Sequence, residues 1–148
     1  MRIAVLSDTH GRLRDETVAR LGCVDYIIHA GDLDCPSVLE ELERFAPVYA
    51  VRGNNDWGGW GLPRVLRTEL GGVHFCVVHK RADVPWDLTG VDVVVCGHTH
   101  RYEEEWVLGR LWLNPGSCSF PRPYHARPTM AMLDTAEDGS FSVKKVVL

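Results

Sequence analysis

Short hydrophobic runs alternate with polar loops and helical patterns along the first third of the chain. Three of the runs have the length of buried strands: residues 2–7, 25–29 and 48–51. A weak helix is predicted over 15–21, and Pro36 opens a second helix whose apolar residues recur at helical spacing. Strands that are separated by helical crossovers are expected to pair in parallel.

The pattern changes after a glycine-rich loop at 53–63. Turn-forming residues now join pairs of strands directly, which predicts antiparallel hairpins. The predicted hairpins are 64–70 with 73–78 across Gly71-Gly72, 101–108 with 111–113 across Gly109-Arg110, and 129–134 with 141–147 across Glu137-Asp138-Gly139. Between them, a short helix is expected over 83–89 and a buried strand over 91–96.

These elements predict an α/β fold made of two packed mixed β-sheets flanked by helices. The chain has 148 residues, which is the size of one ordinary domain, and it contains no repeat, linker or low-complexity tract. We therefore expect a single domain over 1–148.

Composition narrows the cellular context and the partners. Five cysteines without a CxxC pair favour free thiols in a reducing compartment. The first residues do not form a signal peptide, and no apolar run reaches the roughly 20 residues of a membrane span. The formal net charge of −4 argues against tight, non-specific binding to long nucleic acid. A cytoplasmic protein without a membrane partner is expected.

Asp, Asn and His side chains follow five of the predicted strands. The sequences at these strand ends are Ser7-Asp8-Thr9-His10-Gly11, His29-Ala30-Gly31-Asp32, Arg52-Gly53-Asn54-Asn55-Asp56, Val77-Val78-His79 and Cys96-Gly97-His98-Thr99-His100. Buried strands in such folds present functional groups at their carboxyl ends, so we expect the five ends to converge. Residues two apart in an extended segment point to the same side. On this basis Asp8 with His10, and His98 with His100, should each face one centre.

The converging side chains predict a site for two metal ions. The seven candidate ligands are Asp8, His10, Asp32, Asn54, His79, His98 and His100. Seven ligands are too many for one tetrahedral ion, but they suit two ions that share a carboxylate and leave room for water. Imidazole and carboxylate without thiolate favour manganese, iron, cobalt, nickel or zinc, and Mn²⁺ is the expected ion. Any one of these residues alone would more often be a buried histidine, a turn residue or a helix cap, so the prediction depends on their occurring together.

The order of these motifs resembles the calcineurin-like metallophosphoesterase superfamily, and more narrowly its small YfcE-type bacterial and archaeal phosphodiesterases. The motifs are Asp8-x-His10, Gly31-Asp32, Gly53-Asn54-x-Asp56, His79 and Gly97-His98-x-His100. The segment Asn114-Pro115-Gly116-Ser117 followed by Pro121-Arg122 is similar to the NPGS…PR segment of the narrower family. The resemblance runs from residue 3 to about residue 134.

The resemblance implies a β-sandwich flanked by helices (αββα) with a two-metal site at one edge. Asp8, His10 and His100 would hold one ion. Asn54, His79 and His98 would hold the other, and Asp32 would bridge the two. The implied activity is hydrolysis of small phosphodiesters or nucleotide-like substrates through in-line attack by a metal-bound hydroxide.

The chain departs from the superfamily pattern at two positions. Asn55 stands where many members carry a histidine that protonates the leaving group; an amide has no proton to give near neutral pH, which favours diesters with good leaving groups. Members of the narrower family also lack this histidine. Lys80-Arg81 follows His79 where many members have Gly-His. Either residue could contact a substrate phosphate, but a solvated surface pair is favoured.

Residues beside the site receive separate predictions. The candidate catalytic residues are Asp32, Asn54, Asn55 and Asp56. Asp56 is expected to orient the Asn54 loop, or to accept a hydrogen bond from a ligating histidine, rather than to bind metal directly. The histidines that we do not expect to be ligands are His29, His74 and His125.

Two tryptophans in the glycine-rich loop, Trp57 and Trp60, predict either an interface in a homodimer or homotetramer, which is favoured, or a stacking surface for a base or aryl group. Arg122 could reach a phosphate.

Two alternatives to a phosphodiesterase stay open. A phosphomonoesterase or a dinucleotide-polyphosphate hydrolase could use the same site. A metal-binding, non-catalytic interaction module is an alternative of another class, because the small retromer subunit resembles this fold and serves as a scaffold with parts of its site altered. The full set of seven competent ligands in this chain favours an enzyme.

Overall fold

The computed structural model describes all 148 residues, which form ten strands, two α-helices and two single-turn 3₁₀ helices. In chain order the strands are β1 (Arg2–Leu6), β2 (Tyr26–His29), β3 (Val48–Ala50), β4 (Val65–Leu70), β5 (Val73–Val78), β6 (Val93–Val95), β7 (Tyr102–Val107), β8 (Arg110–Pro115), β9 (Thr129–Thr135) and β10 (Phe141–Val147). The helices are α1 (Asp15–Leu21) and α2 (Pro36–Glu43), and the 3₁₀ turns span Gly59–Gly61 and Arg81–Asp83. None of the helices has the length and apolar composition that crossing a bilayer requires.

The strands form two mixed five-stranded sheets, as predicted. The first has the order β10-β9-β1-β2-β3, in which β1, β2 and β3 are parallel and β9 pairs antiparallel with both β1 and β10. The second has the order β4-β5-β6-β8-β7, with parallel pairing of β5, β6 and β8 and antiparallel hairpins at both edges. The parallel strands of each sheet supply the carboxyl ends at which ligands were predicted.

Alternation along β1 shows how the two sheets and the helices share the apolar residues. Ile3 and Val5 belong to a core between the sheets that also contains Phe75 and Leu111. Ala4 and Leu6 point the other way, into a second core beneath the two α-helices. Because successive side chains of a strand face opposite sides, a central strand must be apolar wherever both of its faces are covered, and β1 is apolar and buried from Ile3 to Leu6.

The prediction of a helix over 83–89 is wrong, because no α-helix forms there. Val84 is extended (φ −63°, ψ 126°), as is usual for a residue before proline, so only the turn Arg81–Asp83 forms. The Asp87 side chain then accepts a hydrogen bond from the Thr89 N–H at 3.0 Å, which favours a turn over a helix. A loop therefore covers the outer face of the second sheet, with Val84 and Leu88 packed on its surface. The α-helices flank the first sheet only.

Other boundaries differ slightly from the prediction. The strand predicted over 91–96 is shortened to β6, and the strand predicted over 111–113 is lengthened to β8. The β7–β8 turn consists of Leu108 and Gly109, both with positive φ, rather than Gly109 and Arg110. All five cysteines are unpaired, as predicted.

Candidate metal centre

Hydrogen bonds between loops bring the predicted strand ends together. The Asp8 N–H donates to the Gly31 carbonyl at 3.0 Å, which links the end of β1 to that of β2. The His98 N–H donates to Asp8 Oδ2 at 3.0 Å, which links the second sheet to the first. Gly97 permits this approach, because a side chain there would collide with the Ser7 hydroxyl and the Asp8 carboxylate. The convergence that the strand ends predicted is thus present.

The backbone at the ligands is left-handed rather than extended. Only eight non-glycine residues have positive φ, and five of these are candidate ligands: Asp8 (54°), His10 (47°), Asp32 (59°), His98 (70°) and His100 (59°). The expectation that an extended backbone directs each pair at one centre is therefore wrong in its reason. It is also wrong in its outcome for His98 and His100, which lie in different candidate ligand groups, whereas Asp8 and His10 share one. Left-handed conformations are uncommon outside glycine and cluster at functional sites, where the surrounding contacts hold them.

The first group of candidate ligands is Asp8, His10 and His100. The Nε2 atoms of the two histidines are 3.1 Å apart, and His100 Nε2 is 3.2 Å from Asp8 Oδ1. His100 Nδ1 donates to the Phe120 carbonyl at 2.5 Å and His10 Nδ1 donates to the Asp34 carboxylate at 3.0 Å. Since each Nδ1 carries the proton, both Nε2 lone pairs are directed at the same point.

The second group contains Asp32, His79 and His98. His79 Nδ1 donates to the Ala30 carbonyl at 2.8 Å, so His79 Nε2 faces Asp32 Oδ2 at 3.3 Å and Asn54 Oδ1 at 2.9 Å. Asp32 Oδ2 is also 3.9 Å from His10 Nε2 of the first group. Asp32 therefore lies between the two groups.

Both groups contain more hydrogen-bond acceptors than donors, which suits a cation. Asp8 Oδ1 is buried and has no hydrogen-bond partner, an arrangement that is costly unless a positive charge satisfies it. Burial lowers the pKa of His79, but the Asp32 carboxylate outweighs this and raises that pKa overall. The pKa of His100 is raised in the same way by Asp8. A proton and a metal ion would compete for these nitrogens, as at other metal sites.

The protonation states of Asp32 and His98 also suit metal ligands. Burial raises the pKa of Asp32, but the close contact with His79 and the hydrogen bond from the Asn55 N–H outweigh it and hold the pKa at about 2. Burial and the neighbouring charges of His79 and Lys80 lower the pKa of His98, which keeps its imidazole neutral. Carboxylates and neutral imidazoles are the forms that bind divalent transition metals.

Asp56 organises the loops at the site. Its Oδ2 accepts the N–H groups of Asp32 at 2.9 Å and Gly53 at 2.7 Å, and its Oδ1 accepts the Asp34 N–H at 2.8 Å. The orienting role predicted for Asp56 is therefore present, but its partners are backbone amides and not a histidine. These bonds account for its closeness to Asp32 and Asp34 without an ion. Asn55 Nδ2 donates to Asp32 Oδ2 at 3.1 Å.

Sequence reasoning missed Asp34, which fixes the orientation of His10. The repeat Asp32-x-Asp34 was the available signal.

The NPGS segment also has a structural explanation: Asn114 Nδ2 donates to the Gly97 carbonyl at 2.9 Å, and Ser117 Oγ donates to the Asp8 carbonyl at 2.7 Å. Both residues hold ligand loops in place.

The other histidines lie outside both ligand groups. His29 is fully buried, accepts the Gly31 N–H on Nδ1 at 3.2 Å and contacts the Thr9 hydroxyl through Nε2, as expected of a packed histidine. Burial lowers its pKa to about 4. His74 pairs with Asp92 at the surface, and His125 is exposed.

The two tryptophans beside the site have different environments, and so do the two basic residues. Trp57 is 81% exposed, whereas Trp60 packs against the core beneath the helices. Arg81 is an exposed surface residue, as expected, and it binds Glu105 at 2.9 Å and lies 4.6 Å from the Trp112 ring. Lys80 instead lines a cavity next to His79.

Comparisons with known proteins agree with this geometry. The sequence model of the calcineurin-like phosphoesterase superfamily domain matches residues 1–138. A probable metallophosphoesterase of Methanothermobacter thermautotrophicus is 36% identical over 141 residues, covering 82% of this chain and 80% of the relative. The structure of an archaeal phosphodiesterase has a TM-score of 0.78 and 26% identity, with 100% of both chains covered. Zinc-bound Vps29 of Entamoeba histolytica shares the fold, with a TM-score of 0.77, 24% identity and 99% of both chains covered. The chain belongs to the calcineurin-like phosphoesterase superfamily.

Proposed function

We propose that this protein is a binuclear metal-dependent phosphodiesterase that hydrolyses small phosphodiesters or nucleotide-like substrates. The observation that carries the proposal is the pair of ligand groups with Asp32 between them. Family membership and the archaeal phosphodiesterase support an enzyme that acts on phosphate esters. The whole of 1–148 would form one metallophosphoesterase domain.

In this proposal Asp8, His10 and His100 hold one ion. Asn54, His79 and His98 hold the second, and Asp32 contacts both. When bound, the two ions supply Lewis acidity: they lower the pKa of water and offset the charge that develops on the phosphate. Mn²⁺ is the proposed ion, with zinc, nickel, cobalt and iron as the other candidates, because the ligands are imidazole, carboxylate and amide without thiolate.

The chain's own groups prepare the site for this chemistry. Hydrogen bonds donated by Nδ1 fix the tautomers of His10, His79 and His100, so that each Nε2 is left unprotonated and can bind a metal ion. Asn55 offers amide N–H groups that can orient a phosphate oxygen, but it cannot deliver a proton to the leaving group. This absence of a proton donor favours diesters with good leaving groups over poor ones.

A non-catalytic interaction module remains the second candidate, because Vps29 shares the fold. The complete ligand set favours an enzyme over this alternative. The five unpaired cysteines support a cytoplasmic location, and the exposed Trp57 supports a homo-oligomer. A measurement of turnover distinguishes the enzyme from the non-catalytic interaction module.

The test is hydrolysis of an activated aryl phosphodiester beside its monoester, after the metals have been stripped and Mn²⁺ restored. We expect metal-dependent turnover of the diester, and at least about a 100-fold loss in both variants, since Asp32→Asn replaces the shared carboxylate by a neutral amide and His98→Ala removes a ligand. His74→Ala is the matched control, because His74 lies outside both ligand groups and should leave turnover unchanged. A folded, metal-loaded protein without turnover in any of the candidate metals would contradict the proposal and favour the interaction module.

A further inference from the structure

A polar cavity of about 280 Å³ adjoins the second ligand group, and three cationic side chains line it. The cations are Arg52, Arg64 and Lys80. We propose that this cavity binds a second phosphate group of the substrate, separate from the phosphate that is cleaved. The inference rests on the proposed phosphodiesterase function and narrows its substrates to phosphodiesters that carry an additional phosphate, such as phosphorylated or polyphosphate nucleotides.

The cavity and the metal centre share residues, so a ligand can occupy both. Asn54 and His79, which are candidate ligands of one ion, also form part of the cavity wall. The cavity has no hydrophobic lining residue. Its volume is just below the range of roughly 300–1,000 Å³ for small-molecule sites, which suits one compact polar group.

The three cations have no ionic partner in the protein. Arg2 and Arg81 each bind a carboxylate within 4 Å, but neither Arg52, Arg64 nor Lys80 does. Asp83 is the only acidic residue in the cavity wall, and it balances at most one of the three charges. In a chain with a formal net charge of −4, the convergence of three such cations on one cavity favours an anionic ligand.

Three separate segments position the cations, so their convergence is a feature of the fold. Arg52 follows β3, and its N–H donates to the Pro63 carbonyl at 2.8 Å, which fixes the loop. Its side chain lies across Gly59, where a Cβ atom would be 2.9 Å from Arg52 Cδ. Arg64 directly precedes β4 and Lys80 follows β5, and the pairing of Val65 with Val78 places these two residues at the same end of the hairpin.

The charge of a single scissile phosphate does not explain the three cations. In the proposed enzyme two divalent ions already neutralise that phosphate. The three cationic side chains would repel the two metal ions unless another anion lay between the side chains and the ions. A phosphate dianion matches the excess of two charges that remains after Asp83 is counted. Arginine is also well suited to this ligand, because its planar N–H groups bind two phosphate oxygens at once.

The experiment compares two aryl diesters that have the same three-carbon chain, with the Mn²⁺-loaded enzyme. One is 4-nitrophenyl propyl phosphate, and the other is 4-nitrophenyl 3-phosphonopropyl phosphate, whose phosphonate cannot be hydrolysed. We expect kcat/KM to be at least about tenfold higher for the phosphonate-bearing probe, which is the size expected of a charge-assisted hydrogen bond. In Arg64→Gln and Lys80→Gln this preference should fall by about five- to tenfold.

Arg44→Gln is the matched control. It removes the same charge from an exposed position at the end of α2, opposite to the end that carries the metal centre, so the preference should persist. Equal kcat/KM values for the two probes, or the same preference in Arg64→Gln as in the unaltered enzyme, would overturn the inference while leaving the proposed function intact. Failure to hydrolyse either probe would overturn the proposed function instead.

A second measurement tests the cavity without turnover. Sulfate, a tetrahedral dianion, is titrated into metal-free protein while the arginine Nε–H signals are followed by NMR. We expect the signals of Arg52 and Arg64 to shift in a saturable way, and the affinity to fall about five- to tenfold in Arg64→Gln but not in Arg44→Gln. Absence of a saturable shift at these two side chains would contradict an anion site here.

Discussion

Asn55 limits the range of leaving groups that the proposed enzyme can expel. Its amide donates to Asp32 Oδ2 at 3.1 Å, so the side chain already points into the metal centre. An imidazole at this position would bring a titratable N–H to the same place. For Asn55→His we therefore expect kcat/KM for diesters with alkyl leaving groups to rise by about 100-fold, within the range for general-acid help.

The leaving group provides the control for this prediction. 4-Nitrophenolate leaves without being protonated, so the Asn55→His substitution should change hydrolysis of a 4-nitrophenyl diester little. Asn55→Gln keeps an amide and should not raise the rate for alkyl leaving groups. An equal effect of Asn55→His on both leaving groups would show that the substitution alters binding or metal loading instead of proton transfer.

Asp56 affects stability more directly than chemistry. Its carboxylate accepts three backbone N–H groups while only 1% exposed, so Asp56→Asn would direct an amide N–H₂ at one or more of those donors. We expect the free energy of unfolding to fall by about 1–3 kcal/mol, the cost of an unsatisfied buried group. Urea unfolding of metal-free protein measures this, and Asp25→Asn, which loses one exposed backbone bond, should cost much less.

At the scale of elements, the close approach of the two sheets depends on Gly97 after β6. A Cβ atom there would be 2.8 Å from Asp8 Oδ2 and 3.1 Å from the Ala30 carbonyl oxygen, so Gly97→Ala must separate the ends of β1 and β6. We expect a loss of stability of about 1–3 kcal/mol and weaker Mn²⁺ binding, because Asp8 and His98 are displaced together.

Gly22→Ala is the control for Gly97→Ala. Gly22 has right-handed φ and ψ at the end of α1, and a Cβ atom there would meet no other atom within 4 Å. The substitution should be neutral or slightly stabilising, because alanine lowers the entropy of the unfolded chain. Unfolding and calorimetric Mn²⁺ titration of both variants provide the comparison. Unchanged Mn²⁺ affinity in Gly97→Ala would show that the metal ligands do not depend on this contact.

The strand ends were predictable because hydrophobic runs and the polar residues after them are both visible in sequence. Asp8, Asp32, His79 and His98 each follow such a run, and the parallel pairing of the runs brings these residues to one edge. The left-handed backbone at Asp8 was not predictable, because it depends on contacts with loops that are distant in the chain. Asp34 was missed for a similar reason: its contact is with His10, on a different loop.

The outer face of the second sheet shows another limit of sequence patterns. A short helix is the expectation for 83–89, a segment in which the apolar Val84 and Leu88 lie four residues apart. The structure uses the same two residues to cover the sheet from a loop. Spacing identifies which residues are buried, but Pro85 and the Asp87 turn determine the backbone, and local conformational restrictions of this kind outweigh a short pattern.

For the whole molecule, the candidate metal centre joins the two sheets, so metal binding should stabilise the entire fold. The first sheet contributes Asp8, His10, Asp32 and Asn54, whereas the second contributes His79, His98 and His100. Without a cation, the buried Asp8 Oδ1 has no partner and the facing Nε2 atoms of His10 and His100 repel. A bound ion removes both penalties in the folded state, and the unfolded chain cannot reproduce this arrangement of ligands.

We therefore expect Mn²⁺ to raise the melting temperature relative to EDTA. At free Mn²⁺ of about 100 times Kd, one site adds about 2.7 kcal/mol, which corresponds to about 5–11 °C for a domain of this size. Asp32→Asn should reduce the shift strongly because Asp32 lies between both ligand groups, whereas His74→Asn should retain it. Each shift is measured within one variant, so differences in basal stability cancel. The same shift in Asp32→Asn as in the unaltered protein would mean that Mn²⁺ binds elsewhere, and the ligand assignment would be wrong.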